Sequence, residues 1–256
     1  HQRLYDFAKM ALIKIFAHPY ATVCELYCGD AHKWLDSQIA NYIGIDRQSL
    51  GDNNNKSCTT HFFHLDPSTE SIEIRLEDKD FVCCLQHLQL CFETEEKARR
   101  LLQNVSSLLK PGGYFLGITP DSSTIWAKYQ KNVESYHNRN IVPNCIRTEN
   151  YTIAFEVEEE KFPLFGKKYQ LKFANDHCLV HFPSLIRLAR EAGLEYVEIQ
   201  NLTEFYDDNR AQLAGLLNLL DTRGKLLPRS YDVLGLYTTF IFQKPDPEIA
   251  PPITTP

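Results

Sequence analysis

No apolar run in this chain approaches the roughly 18 residues that a membrane-crossing helix needs, so the sequence offers no membrane span. The opening residues, His1-Gln2-Arg3-Leu4-Tyr5, lack the apolar core of a signal peptide and read as the continuation of a preceding segment. Positive charge is short as well. Lys and Arg number 27 against 33 Asp and Glu, a net charge of -6. That excludes a nonspecific nucleic-acid coat binder and confines any nucleic acid to a local pocket. Cys24 and Cys28 stand four apart and Cys83 and Cys84 are adjacent, and neither pair has a CxxC or an HxxxH next to it to complete a zinc set, so no metal is expected. Cys24, Cys28, Cys83, Cys84 and Cys91 lie in or beside apolar segments, as reduced core cysteines do, which suits a reducing compartment. No internal repeat is visible.

What is present is a 256-residue, 43% hydrophobic chain, enough for one large globular domain. Its organising stretch is Thr22-Val23-Cys24-Glu25-Leu26-Tyr27-Cys28-Gly29-Asp30. This reads as a buried strand carrying an acid near its end, then a turn at Cys28-Gly29. A helix over 31–40 follows, then a second strand, 41–46, ending on Asp46. Strand, glycine turn, helix and acid-terminated strand is the layout of a nucleoside site, in which Asp46 accepts hydrogen bonds from ribose hydroxyls. Glycine is scarce here: the turn has one where nucleotide loops usually have more. The residues alone also allow an ordinary strand-turn-helix.

Periodicity predicts a helix over 3–17 with the stripe Leu4, Phe7, Ala8, Ala11, Leu12 and Ile15, off which Lys9 and Lys14 fall. Residues 51–56 read as a polar loop. Strands are expected at 60–65, stopped by Pro67, and at 80–85, the latter apolar throughout as if buried on both faces. A strong amphipathic helix spans 93–109, punctuated by Lys110-Pro111-Gly112-Gly113, and a strand at 114–118 follows. This order gives an α/β, doubly wound, mostly parallel sheet with right-handed crossovers. After a helix over 122–139 the period changes to two at 150–158 and 168–173, an antiparallel hairpin insertion bounded at about 148–175. Then come a helix over 182–192 closed by Gly193, a strand at 194–199, a helix at 209–220 and a last strand at 234–243. One domain, 1–243, is expected, with 244–256 as a Pro-rich unstructured tail.

Three stretches resemble one family, the eukaryotic mRNA cap guanine-N7 methyltransferases, of which this chain would be a divergent, plant-like member. They are Phe92 to Glu96 running on through Leu109-Lys110-Pro111-Gly112-Gly113-Tyr114 to Ser122; Phe162-Pro163-Leu164-Phe165-Gly166-Lys167-Lys168-Tyr169; and Cys178-Leu179-Val180-His181-Phe182-Pro183. Phe205-Tyr206 and Leu236-Tyr237 continue the likeness, which covers about residues 4–243. It implies a seven-stranded, Rossmann-like class I methyltransferase sheet. It also implies methyl transfer from S-adenosyl-L-methionine to guanine N7 of the 5' cap of mRNA, in the nucleus or another reducing intracellular compartment. N7 loses no proton, so no catalytic acid or base is assigned and the rate is expected from alignment and desolvation.

Carried over residue by residue, the resemblance implies that Lys9 contacts the cofactor carboxylate and Glu25 the methionine end. The backbone of Tyr27, Cys28 and Gly29 lies against the cofactor, Asp46 on the ribose and Asp66 on the adenine amino group. Leu85, Gln86 and Leu90 complete the adenosine side. Cap contacts fall to Asp30, Lys33, Gln89, Pro120, His177 and Tyr237. The chain departs from the family where Tyr27 replaces a glycine and where the turn before Lys33-Trp34 is shorter. It departs again where Gln89-Leu90 stands for a His-Tyr pair and His177 (or Asp176, with a one-residue slip) for a guanine-reading Glu. Each lost partner to a buried guanine costs about 1–3 kcal/mol, so cap binding is expected to be weakened and methylation to be slow but detectable. Two readings remain open: an active cap methyltransferase, with or without an activating protein partner, and a methyltransferase-fold scaffold subunit of a larger RNA-related complex.

Overall fold

Parallel pairing builds the larger of two sheets in this computed structural model, which describes residues 2–29, 31–47, 58–72, 79–136, 145–155, 163–171, 177–213 and 226–249. In chain order the first elements are α1 (Gln2–Phe16), β1 (Thr22–Leu26), α2 (Ala31–Leu35), β2 (Asn41–Asp46), β3 (Thr59–His64) and β4 (Lys79–Cys84). A 3-10 helix (Leu88–Glu93) leads to α3 (Glu95–Leu108), β5 (Leu109–Pro120) and α4 (Ser122–Tyr136). Four short strands follow: β6 (Cys145–Arg147), β7 (Thr152–Phe155), β8 (Lys168–Leu171) and β9 (His177–Cys178). The chain then returns through α5 (Phe182–Glu191), β10 (Glu195–Asn201), α6 (Leu202–Leu213), α7 (Pro228–Leu234) and β11 (Tyr237–Gln243). The large sheet has the order β10-β11-β5-β4-β1-β2-β3. The pairs from β5 to β3 are parallel, and β11 is antiparallel to both β5 and β10. The doubly wound, mostly parallel expectation is met.

Residue chemistry explains the layers. β1 is buried at all five positions, as a central parallel strand must be. On one face of the sheet, Leu116, Ile118, Tyr237 and Ile241 pack with Leu4, Phe7, Leu12, Ile125 and Trp126 of α1 and α4. On the other, Phe115, Phe240 and Phe242 meet Leu101, Leu102 and Val105 of α3 and Leu185 and Leu188 of α5. The Thr94 side chain caps α3 by accepting from the Lys97 amide at 3.2 Å, with Glu95 and Glu96 in the positive first turn.

Several expected boundaries move. α2 stops at Leu35, well short of 40, because the Ser37 hydroxyl takes the Trp34 carbonyl and Gln38 turns left-handed (φ 62°). The strand expected at 114–118 runs from Leu109, since the chain enters the sheet directly after α3, with a register irregularity between Lys79 and Phe81 beside it. α6 begins at Leu202, where Asn201 Oδ1 accepts from the Thr203 amide at 3.0 Å and so caps it. β11 begins at Tyr237, because Pro228 starts a short helix that absorbs Leu234. Lys9, expected off the apolar stripe, is only 1% exposed, while Ile15 of the stripe is 38% exposed. α1 buries a wider arc than one stripe. The expectations for 51–56, 137–139, 156–158, 172–173, 214–220 and 250–256 lie outside the described residues.

The insertion is a four-stranded antiparallel sheet, β6-β7-β8-β9, and β6 and β9 fall outside the 148–175 hairpin. At three and two residues they are too short to carry a period-two signal. Two anchors seat it past the carboxyl ends of β4 and β5. The Gly166 amide donates to the Phe92 carbonyl at 2.8 Å, with the two neighbouring rings, Phe92 and Phe165, stacked. The Val180 amide donates to Ser122 Oγ at 2.8 Å.

Gly117 is required where β5 lies between β4 and β11, paired with Cys84 and Phe240. A β-carbon there would collide with the Cys84 carbonyl oxygen and the Phe240 ring. Gly117→Ala should cost about 1–3 kcal/mol of stability by forcing the strands apart. Urea unfolding measures it, and an unchanged midpoint and slope would refute the close approach.

Candidate functional site

The carboxyl edge of the large sheet collects the charged and polar groups. Glu25, in the middle of the buried sheet with no exposed surface, accepts a hydrogen bond from the Tyr42 hydroxyl on β2. One strand away, Lys9 Nζ donates to Gln86 Oε1 at 3.1 Å and lies 4.9 Å from the centre of the Tyr5 ring. A buried ammonium needs such partners. The Tyr5 hydroxyl donates to the Leu85 carbonyl at 2.7 Å. Gly29 faces this group: a β-carbon on it would stand 3.1 Å from Gln86 Nε2. The Cys28 amide donates to the Ile45 carbonyl at 3.3 Å, closing the turn after β1 onto β2. Burial, followed by the charges of Glu25 and Asp46, pushes the Cys28 thiol up, so it stays protonated. Lys9, Glu25, Cys28, Gly29, Asp46, Leu85 and Gln86 thus share one edge.

Asp66 sits past β3 in a loop fastened to α3 by one buried side chain. Asn104 Nδ2 donates to the Pro67 carbonyl at 2.9 Å and the Glu70 carbonyl at 2.7 Å, and its Oδ1 accepts from the Ile72 amide at 3.1 Å. Asp66 Oδ1 accepts from the Ser68 amide at 3.0 Å, the Ser68 hydroxyl at 2.7 Å and the Tyr27 hydroxyl at 3.0 Å. Burial alone would raise this carboxyl. The Ser68 and Tyr27 donors and the Arg47 charge outweigh burial and hold it below the ordinary aspartate value. A cavity of about 160 Å³ opens here, lined by Tyr27, Arg47, Asp66, Ser68, Leu90 and Lys97 among others.

The opposite side of the edge carries the groups expected at the cap. Tyr237 pairs in register with Pro120, is buried, and meets the Tyr5 ring edge-on at 5.0 Å. Burial raises its phenol. Asp121 caps α4, its Oδ1 accepting from the Thr124 amide at 3.2 Å, and its Oδ2 accepts from Asn201 Nδ2 at 2.8 Å. Lys33 forms an ion pair with Asp6 Oδ1 at 3.3 Å. Gln89 is buried in the 3-10 helix, and Leu90 sits on the Asp66 cavity. His177 joins β9 opposite Tyr169; its side chain and Asp30 lie outside the described residues. Tyr5, Tyr42, Ser68 and Asn104 had no assigned role in the sequence. Only Tyr5 had a signal, four residues before Lys9 on the same helical face. All eight cysteines are free. Among the described residues no cluster of three or more His, Cys, Asp and Glu could hold a metal ion, and no helix is long and apolar enough to cross a membrane.

Known proteins resemble this chain in sequence and in fold. A family model for the mRNA (guanine-N(7))-methyltransferase domain matches residues 2–244. The chain is 65% identical to the mRNA cap guanine-N(7) methyltransferase 2 of Oryza sativa subsp. japonica, over 100% of this chain and 84% of that protein. It is 65% identical to the protein of the same name from Arabidopsis thaliana, over 100% of this chain and 80% of that one. Among solved structures, the CcbJ methyltransferase of Streptomyces caelestis superposes with a TM-score of 0.53 at 13% identity, over 94% of this chain and 95% of that one. At that identity the likeness concerns the fold alone.

Asp66 gives this site a pH signature. A folded-state pKa below the ordinary 3.8 contributes stability that is present above that value and lost as pH falls through the lowered folded value. Unfolding free energies of the parent and Asp66→Asn should therefore differ at neutral pH and converge in acid below 3.8. A difference constant across that range would show that the charge on Asp66 contributes nothing.

Proposed function

The chain belongs to the mRNA (guanine-N7)-methyltransferase family, and from that premise we propose how its residues divide between two reactants. The activity is S-adenosylmethionine-dependent methyl transfer to guanine N7 of the mRNA 5' cap. When bound, S-adenosylmethionine supplies a methyl group made electrophilic by the sulfonium that carries it. Guanine N7 attacks with a lone pair and has no proton to lose, so the protein's task is to orient, exclude water and neutralise charge.

The residues present suit that cofactor. Lys9, an ammonium held at the sheet edge by Gln86 and Tyr5, complements a carboxylate. Glu25 holds the methionine end from β1. The backbone of Tyr27, Cys28 and Gly29 lines the sulfur side. Asp46 takes the ribose hydroxyls, and Asp66 takes the adenine amino group beside Leu85, Gln86 and Leu90. Lys33, Pro120 and Tyr237, with Gln89, His177 and Asp30, form the cap side. The observation that carries this division is Tyr5. One side chain bonds the Leu85 carbonyl on the cofactor side and packs edge-on against Tyr237 on the cap side. Two ligands meeting at that seam lie in contact with each other.

The seating of the small antiparallel sheet past the carboxyl ends of β4 and β5 supports its forming a wall of the guanine pocket. A net charge of -6 leaves the RNA chain beyond the cap weakly held. An activating protein partner that supplies cations would raise affinity for longer RNA, and the reaction belongs in the nucleus, where transcripts are capped.

Labelled methyl transfer to guanosine-capped RNA, with uncapped RNA as the control, tests the activity; equal incorporation into both would sink it. Asp46→Ala should weaken S-adenosylhomocysteine binding by about 1.5–3 kcal/mol in calorimetry, the size of a lost charge-assisted bond. Tyr237→Ala should raise KM for capped RNA and leave cofactor affinity unchanged. A fall in cofactor affinity of equal size would reassign Tyr237.

A further inference from the structure

Tyr27 stands in the left-handed region at φ 52°, a conformation that a bulky side chain adopts only when its surroundings hold it there. What holds it is a line of hydrogen bonds. Its hydroxyl lies 3.0 Å from Asp66 Oδ1 and 3.4 Å from Cys91 Sγ. Both partners are distant in sequence: Asp66 lies in the loop after β3 and Cys91 in the 3-10 helix after β4. The direction of each bond follows from the chemistry. Asp66 is an ionised carboxylate and can only accept, so the single phenol proton points to it. The thiol of Cys91 must then donate to the phenol oxygen. Burial pushes Cys91 up to about 12 and raises Tyr27, so both groups keep their protons at neutral pH.

We propose that Tyr27 is a positioning residue for adenine recognition: with Ser68 it saturates Asp66 Oδ1 with donors, so that Oδ2 alone is presented to the ligand as an acceptor. This rests on the reading above that Asp66 meets the adenine. A ligand with an amino group at position 6 of the purine donates to that oxygen. A 6-oxo purine sets its own acceptor against it, and a carboxylate held ionised cannot relieve the clash by taking a proton. Tyr27 therefore acts through Asp66, in addition to any contact its backbone makes with the cofactor. Its ring needs no glycine-like absence of side chain, because the left-handed backbone aims it away from the turn and under the adenine cavity, which it helps line.

The test is the ratio of affinities for S-adenosylhomocysteine and S-inosylhomocysteine, measured by calorimetry on the full chain, with melting curves to confirm folding. The parent should favour the adenosyl compound. Asp66→Asn should abolish that preference. Tyr27→Phe keeps the ring and removes the donor, and should lower the ratio about tenfold, as expected for one hydrogen bond to a charged group. If Tyr27→Phe does not fold, Cys91→Ala carries the test by removing only the bond into the phenol oxygen. It should lower the ratio about threefold, and an unchanged ratio overturns the proposal. If Asp66→Asn loses the preference while Tyr27→Phe retains the parent ratio, Tyr27 is merely structural and the proposal falls with the Asp66 reading intact. A parent that binds both compounds equally, or neither, overturns the Asp66 reading and the proposal with it.

Discussion

Parallel pairing on both sides of β1 is the constraint from which the site follows. Leu26 is matched to Ile45 on one side, and Glu25 to Cys83 on the other, so β1, β2 and β4 end together at one edge. Parallel strands cannot be joined by tight turns, and the chain must leave that edge each time through a loop. Those connections carry Tyr27 to Gly29, Arg47, Leu85 to His87 and the 3-10 helix that begins at Leu88. The antiparallel β11 then adds a group the parallel strands could not: its first residue, Tyr237, arrives at the same edge because it runs against β5. A seventh strand inserted parallel would have put its last residue there instead.

Such an edge exposes polar backbone and charged side chains to a buried environment, and each needs a partner. Asn104 is the clearest case. It spends three hydrogen bonds on the backbone around Pro67, Glu70 and Ile72, which makes the Asp66 loop an extension of α3. The Tyr42 hydroxyl does the same for the carboxylate of Glu25. Removing either donor would leave a buried acceptor desolvated, a loss of about 1–3 kcal/mol.

The order of strands and helices was legible because parallel-sheet strands are apolar throughout and amphipathic helices repeat every 3.6 residues. Glu25 and Asp46 could be placed near the ends of their strands, and Asp66 in the turn beyond β3, because the apolar runs stop there. The errors share a cause. α2 and α6 were misplaced by side chains that compete locally for backbone groups, Ser37 at an end and Asn201 at a start. Lys9 was misjudged because burial of a charge depends on partners that sequence does not reveal: Gln86 is 77 residues away. Tyr5 and Asn104 were missed for the same reason, their acceptors lying 80 and 37 residues off. No local pattern encodes such contacts. Tyr27 stands where the family has a glycine, and the structure takes its side chain out to Asp66 and Cys91 from a left-handed backbone.

α1 ties the two halves of the cleft. Tyr5, Asp6 and Lys9 lie on its first turns and reach, in that order, Leu85 with Tyr237, Lys33, and Gln86. On the division proposed above, these partners sit on both the cofactor side and the cap side. A methyl transfer without acid or base depends on the distance and angle between two reactants, so an element touching both sets the alignment. The helix itself is held by Leu4, Phe7, Ala8, Ala11 and Leu12 in the core. Its position is therefore fixed by close packing, which resists small displacements far better than a loop does. The apolar stripe that made α1 readable as a helix is also what keeps its polar face in register with the chemistry.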